Sequence, residues 1–322
     1  MSNRRRDRIA AQHPLSRQPH CLGKLVLFRI RICFAVISIF VVAGCHADSE
    51  PTYLNRRASF ATTLVTIGSV PPGHAYPGPD LFPGDWDRLA TNIREVKYPS
   101  GDLQLGAWIF APENVIEGRT PALLYLHPGL SADARTIRQC KPFIDSGFVV
   151  MVPTFRGEAG NEGNFEDTYG EVDDAAAAAR WLADQPEVNP NRIYAFGWSY
   201  GGGIAALLSL FDDVPLLHTG SCGGLFYPQL FDEPLMRELL PFDLTNPMEI
   251  EMRILLGNTR WMRRRHFAFI GSADQLFVPA VNAAQQEIGE RDSLLQVLMV
   301  PGDHFTSGKA AIERYLEITT DQ

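Results

Sequence analysis

Cysteine is scarce in this 322-residue sequence, and fixed-period repeats and low-complexity stretches are missing. Five cysteines cannot staple a chain of this length, so its stability has to come from a hydrophobic core. With 45% hydrophobic and 20% charged residues it has the material for one. A membrane-spanning helix needs about 20 consecutive apolar residues, and no run reaches that length. Neither His127 nor His218 has partners at metal-ligand spacing, so no metal centre is expected, and no motif calls for a cofactor.

Positive charge is concentrated at the start of the chain. Arg4, Arg5, Arg6, Arg8, Arg17, Lys24, Arg29 and Arg31 precede an apolar stretch from Ile32 to Ala43, which ends in Val42-Ala43-Gly44-Cys45. A basic region, a short apolar run and small residues before a cut are the marks of an export signal. The ending resembles a bacterial lipobox, which implies cleavage after Gly44 and a lipid on Cys45. A plain secretory signal or an uncleaved anchor is the alternative. The expected location is the cell envelope, on a membrane through that lipid. Removing residues 1–44 takes away eight of 29 basic and one of 37 acidic residues, leaving a formal charge of −15. Such an acidic domain has no electrostatic reason to bind nucleic acid. Cys140 and Cys222 then remain besides Cys45, and two unpaired buried thiols are favoured over a disulfide.

Residues 45–89 read as a tether followed by a segment that wraps a domain spanning 90–322. Pro71-Pro72-Gly73, Pro77-Gly78-Pro79 and Pro83-Gly84 forbid long helices there. Beyond residue 90 strands and helices alternate. Ile93 to Tyr98 and Leu103 to Phe110 flank Pro99-Ser100-Gly101-Asp102 as a hairpin. Ala122 to Leu126, Phe148 to Val152, Ile193 to Phe196 and Phe267 to Ile270 are short apolar runs of the kind buried on both faces of a parallel sheet. Leu216 to Thr219 and Leu295 to Val300 are further expected strands. Helices are expected over Ala132 to Cys140, Tyr169 to Gln185, residue 201 to about Phe211, Pro279 to Glu290 and Lys309 to Glu317. An antiparallel start followed by βαβα alternation implies an α/β fold with a mainly parallel sheet covered on both faces. Pro228, Pro234, Pro241 and Pro247 break residues 224–262 into short pieces, read as a small irregular cap with Phe226, Tyr227, Phe231 and Leu235 lining a pocket.

The chemistry centres on Gly197-Trp198-Ser199-Tyr200-Gly201, placed between a buried strand and an Ala/Leu-rich helix. A serine hydroxyl is a poor nucleophile and must be presented to a base and a carbonyl at once. A sharp strand-to-helix turn does this, and small residues on both sides permit it. Asp274 follows a strand in Gly271-Ser272-Ala273-Asp274, and His304 follows the last strand in Pro301-Gly302-Asp303-His304-Phe305. The order serine, acid, histidine suits a relay in which His304 is the base and Asp274 orients its ring. Asp303 is the rival acid, with Asp232 and Asp243 weaker rivals; a capping Asp274 and a surface His304 are the non-catalytic readings. His127-Pro128-Gly129 resembles the His-Gly-Gly turn of many hydrolases. It offers the Gly129 N–H, with Leu130 as rival, beside the Tyr200 N–H to a developing oxyanion. Pro128 has no N–H to give, and His127 is read as organising the turn.

Residues 90–318 resemble the catalytic domain of the prolyl oligopeptidase family, in its dipeptidyl-peptidase and acylaminoacyl-peptidase branch. The resemblance rests on Phe155-Arg156-Gly157, Gly-Trp-Ser-Tyr-Gly-Gly at 197–202, Gly-x-x-Asp with Val-Pro at 271–279, and His304. Dienelactone hydrolases and acetyl esterases are similar in many of these features. The resemblance implies the α/β-hydrolase fold and a structural role for Arg156-Gly157 and for Val172-Asp173-Asp174. The propeller of the family peptidases has no counterpart in residues 46–90, nor has its acidic pair for a free amino terminus. Glu158, Glu162 and Glu166 form an acidic loop near the site, read as solvated. The expected activity is serine hydrolysis of small or medium esters through an acyl-enzyme. The alternatives are a peptidase on short peptides and a catalytically silent lipoprotein binding module.

Overall fold

The computed structural model describes residues 52–70, 93–289 and 293–320. The export segment, Cys45 and residues 71–89 lie outside the described residues. Eight strands form one sheet: β1 (Ile93–Ser100), β2 (Leu103–Phe110), β3 (Thr120–Leu126), β4 (Val149–Pro153), β5 (Val188–Trp198), β6 (His218–Cys222), β7 (Arg265–Gly271) and β8 (Leu295–Val300). Their spatial order is β1-β2-β4-β3-β5-β6-β7-β8, antiparallel between β1, β2 and β4 and parallel from β4 to β8. Sequence order reverses around β3 and β5, and open parallel sheets carry their sites at such points, beyond the C-terminal strand ends.

The helices are α1 (Tyr53–Ala58), α2 (Ala134–Gln139), α3 (Lys141–Asp145), α4 (Tyr169–Ala183), α5 (Tyr200–Leu208), α6 (Pro234–Arg237), α7 (Pro247–Glu251), α8 (Val278–Ile288) and α9 (Gly308–Thr320). Alternation along β3 divides the core in two. Leu124 and Leu126 join α4, α5 and α8 in one cluster, and Leu123 and Tyr125 join α3 and α9 in the other. The run Ala175–Ala179 gives α4 strong helix propensity, and its small side chains permit close packing against the sheet. The helix expected over Ala132 to Cys140 is α2, and Pro142 sits in the first turn of the separate α3, where its missing N–H costs nothing. Cys140 and Cys222 are both buried free thiols.

Two expectations shift. The strand anticipated at Leu216 to Thr219 runs instead from His218 to Cys222, through His-Thr-Gly-Ser-Cys. These polar side chains are buried because partners meet them. His266 on β7 bonds Thr219 Oγ1 through Nδ1 at 2.8 Å and Ser221 Oγ through Nε2 at 2.9 Å, and His218 Nδ1 lies 3.0 Å from Tyr315 Oη. Residues 224–262, expected as a cap, are built into the body of the protein. Phe226, Leu230, Phe231, Phe242, Met252 and Leu255 are all buried in the larger cluster.

Residues 52–70 lie against that same region. Tyr53 is fully buried and donates its hydroxyl to Met252 O at 2.8 Å. Arg253, also fully buried, pairs with Glu249 and donates to Thr62 Oγ1 and Glu166 O, each within 3.1 Å. One guanidinium thus joins the N-terminal segment, the β4–α4 loop and the 224–262 region, and most of its donors are satisfied by fixed acceptors.

Asp167 and Thr168 both adopt left-handed backbone (φ +51° and +69°) to turn the chain into α4. Neither is glycine, so the turn is held against its preference by its neighbours. Behind it Glu171 is buried, with Oε1 accepting from Glu166 N at 2.8 Å and Oε2 without a partner among the described residues. Burial pushes its carboxyl up to about 8. The folded state therefore binds this proton more tightly than the unfolded chain, whose glutamate titrates near 4.3. The associated stability is complete below pH 4 and is lost as pH rises through 8. Glu171→Gln keeps the shape and the Oε1 acceptor without the ionisation. Thermal unfolding should find the variant equal to wild type near pH 4.5, with an advantage growing to about 5 °C by pH 8.5. A pH-independent difference would disprove the neutral buried acid.

Candidate active site

Ser199 occupies the turn between β5 and α5 with φ +52° and ψ −117°. The two glycines of the motif have a steric reason to be there. A Cβ on Gly197 would lie 2.0 Å from Gly201 O, and one on Gly201 would lie 2.2 Å from Leu126 O. The turn is therefore closed on itself and pressed against the end of β3. Ser199 N donates to Cys222 O at 2.8 Å, which ties the turn to β6 as well.

His304 Nε2 lies 2.9 Å from Ser199 Oγ, and His304 Nδ1 lies 2.9 Å from Asp274 Oδ2. Asp274 is buried, while the His304 side chain keeps 17% of its surface exposed. The other carboxylate oxygen, Oδ1, accepts from the N–H groups of Leu276 and Phe277 at 3.2 Å, which fixes the rotamer. With a carboxylate at Nδ1, that nitrogen carries the proton and Nε2 is left to accept from the serine. A base within hydrogen-bond reach of the hydroxyl, itself oriented by a buried acid, is the geometry needed to make serine a nucleophile.

The rival acids are engaged elsewhere. Asp303 Oδ1 accepts from Phe305 N, Thr306 N and Thr306 Oγ1, folding back on its own turn. Asp232 pairs with Arg237 at 3.3 Å, and Asp243 Oδ1 accepts from Thr245 N and Oγ1.

Tyr200 opens α5, where a backbone N–H has no acceptor within the helix. Its phenol accepts from Thr168 N at 3.0 Å, so the ring is clamped behind the turn. Gly129 lies in the loop after β3 with φ +70°, a conformation that suits glycine. This loop neighbours the serine turn, since a Cβ on Gly201 would also lie 2.6 Å from His127 O. Leu130, the rival to Gly129, is buried in the larger core cluster.

The loop Glu158, Glu162 and Glu166, expected to be solvated, is so only at Glu162. Glu158 is buried against His127 at 3.0 Å, and Glu166 pairs with Arg156 at 3.1 Å. Arg156 also makes a bidentate pair with buried Asp174, at 2.9 and 2.8 Å. Asp173 pairs with Arg57 at 2.7 Å.

Three further residues shape the site. Gly223 has φ +53°, and a Cβ on it would lie 3.0 Å from the His304 ring and 3.2 Å from Asp274 Oδ2. Phe277 stacks on His304, with centroids 5.3 Å apart and planes 9° from parallel. Trp198 donates its indole N–H to His304 O at 3.2 Å, linking the histidine loop to the serine strand. Gly223 and Trp198 carry local hints in the sequence, the first after a strand and the second inside the motif. Phe277 has none. Among the described residues no group of three His, Cys, Asp or Glu side chains is arranged to hold a metal ion.

Residues 100–219 match the family model described as X-Pro dipeptidyl-peptidase (S15 family). An uncharacterized peptidase of Bacillus subtilis, YtmA, is 37% identical over 126 residues, covering 37% of this chain and 46% of that protein. The quorum-quenching protein AidA of Acinetobacter baumannii is 26% identical over 113 residues, covering 34% of this chain and 36% of its own length. The chain thus spans about half or less of the length of the curated relatives it matches. Among solved structures, Porphyromonas gingivalis dipeptidyl peptidase 4 superposes with a TM-score of 0.61 at 18% identity, over 71% of this chain and 35% of that one. A Pyrococcus furiosus esterase superposes with a TM-score of 0.58 at 16% identity, over 80% of this chain and 97% of that one. Peptidases and esterases share this architecture, and the chain has the α/β-hydrolase fold.

Proposed function

We propose that the protein is a serine hydrolase acting through an acyl-enzyme on small or medium ester substrates. The observation that carries this reading is the continuous relay Ser199 Oγ, His304, Asp274, with both links at 2.9 Å. In this reading His304 takes the Ser199 proton as Oγ adds to the substrate carbonyl. The carbonyl oxygen becomes an anion and is met by the N–H groups of Tyr200 and Gly129. His304 then protonates the departing alcohol, and water enters by the reverse sequence. Asp274 stabilises the imidazolium without taking its proton. A silent binding module has no use for a complete relay.

Ser199→Ala should abolish labelling by a fluorophosphonate and leave thermal unfolding within a few degrees of wild type. His304→Ala and Asp274→Asn should each lower kcat by about 10³- to 10⁴-fold, the first by loss of the base and the second by loss of the tautomer. Asp303→Asn should stay within threefold of wild type. Undiminished labelling of Ser199→Ala would refute the proposal.

A peptidase on short peptides is the second reading, and the match to the X-Pro dipeptidyl-peptidase model favours it. Against it, Glu158 and Glu166 spend their carboxylates on His127 and Arg156 and do not offer them to a free ammonium. Amide hydrolysis needs binding energy remote from the reacting bond to position and protonate a poor leaving group. For short-chain aryl esters kcat/KM should exceed that for matched peptide amides by at least about 100-fold, or ~2.7 kcal/mol. Reactivity alone could produce that gap, so peptide length is the deciding variable. A flat kcat from dipeptide to pentapeptide supports the esterase. A steep rise, or a strict need for a free amino terminus, supports the peptidase.

The location belongs to the same proposal: export, cleavage after Gly44 and lipid on Cys45, supported by the pattern of residues 4–45. Stable anchoring takes more than one acyl chain. Mass spectrometry of the mature protein should find Cys45 as a multiply acylated N-terminus, and Cys45→Ser should block both acylation and cleavage. An unmodified Cys45 would exclude the anchor.

A further inference from the structure

The loop from His127 to Ala132 carries Gly129, and both its ends meet one side chain. Glu158 Oε1 accepts from Ala132 N at 2.7 Å. Glu158 Oε2 lies 3.0 Å from His127 Nε2 and accepts from Phe155 N, also at 3.0 Å. The carboxylate is 1% exposed and His127 fully buried. The Phe155 ring lies against the imidazole, with centroids 5.2 Å apart. Glu158 is itself held in place, because Arg156, two residues earlier, is locked onto Asp174 from three directions: N, Nε and Nη2. A chain of fixed contacts therefore runs from α4 through Arg156 and Glu158 to the loop bearing Gly129.

His127 has acceptors at both ring nitrogens. Nε2 faces the Glu158 carboxylate and Nδ1 faces the backbone of Pro128 and Gly129. Burial alone would lower its pKa, but the Glu158 charge and these hydrogen bonds outweigh it and the net shift is upward. With Nε2 directed at the Glu158 carboxylate and Nδ1 at the backbone of its own turn, the ring braces the turn from within.

We infer that Glu158, acting through His127 and the Ala132 N–H, is a positioning residue for the oxyanion-binding loop. The inference rests on the serine hydrolase reading above. An oxyanion donor is effective only within about 2.7–3.1 Å of where the anion forms, so a loop released at both ends loses rate rather than substrate affinity. No rotation of a single uncharged amide reproduces the Glu158 set. Its oxygen can serve Ala132 or the His127–Phe155 pair, and its NH₂ then confronts a donor. Neither Glu158 nor His127 needs to touch the substrate for this role.

The test uses Glu158→Gln, His127→Gln and the double variant in the otherwise unaltered protein, with rates expressed per fluorophosphonate-titrated site. For a short-chain aryl ester, each single variant should lose about 10- to 100-fold in kcat with KM within threefold. The double variant should be no worse than the poorer single one, because both substitutions release the same loop. Affinity for an aryl trifluoromethyl ketone, whose serine adduct places an anion in the oxyanion site, should fall in parallel with kcat/KM. A merely structural role would lower the number of titratable sites and the unfolding temperature but leave kcat per site unchanged, and that result overturns the inference. So does loss of cooperative unfolding in both single variants, which makes the pair a folding element. Wild-type protein that neither labels nor turns over the ester refutes the hydrolase reading itself. Labelled wild type with single variants of equal kcat and equal ketone affinity removes only the role of Glu158.

Discussion

A serine at φ +52° stands in a region that costs an L-residue about 1–3 kcal/mol, and much of the architecture around Ser199 makes that backbone tenable. Gly197 and Gly201 allow the chain to double back where any side chain would collide with backbone. Gly202 approaches Gly224 so closely that a Cβ there would lie 2.8 Å from its Cα, and Gly203 gives its face to the Phe226 ring. Residues 222–226 are therefore part of the support for the serine turn. Strain at the nucleophile is distributed over β3, β6 and the segment after β6, and all three must be in register before Ser199 can face His304.

That dependence explains what the sequence disclosed. The strand–Gly-x-Ser-x-Gly–helix pattern is local: sterics within about ten residues decide it, and so residue types alone reveal it. Asp274 and His304 are legible for a related reason, each lying directly after an apolar strand that fixes its end of the sheet. β6 lies two residues beyond the expected strand because its buried side chains are His218, Thr219 and Ser221. Their partners, His266 and Tyr315, are 45 to 97 residues away. Periodicity cannot signal a polar strand whose hydrogen bonds are all long-range. The short pieces of 224–262 follow from its prolines, but their burial does not, since prolines declare turns and say nothing of Phe226, Phe231 and Phe242 packed beneath them.

The glutamates of the β4–α4 loop show how far composition can mislead at a site. Glu158, Glu162 and Glu166 recur every four residues like a solvated charge run, yet only Glu162 faces water. Glu158 is desolvated, a state that costs several kcal/mol for an unpaired ion and is tolerable only because three N–H donors converge on it. Glu166 balances Arg156, which Asp174 already holds. Two of the loop's three carboxylates are thus spent on internal pairs.

The two sides of the serine turn are braced by opposite means. On the Gly129 side the brace is ionic, a carboxylate gathering donors from a loop that would otherwise be free to move. On the Tyr200 side it is a phenol accepting from Thr168 N, in a turn whose residues 167 and 168 are both left-handed. Buried near that turn are two carboxyls that burial raises, Asp167 to about 6 and Glu171 to about 8. Ionising either would place charge close to the ring of Tyr200, whose N–H is proposed for the oxyanion. At neutral pH Glu171 stays protonated while Asp167, near 6, ionises beside Arg253, so burial removes one of two negative charges from the turn behind Tyr200, in the neighbourhood where the proposed transition state becomes negative. A preorganised site of this kind does not need to reorient when that charge appears, and the cost of its strain and buried groups is met in folding rather than during turnover.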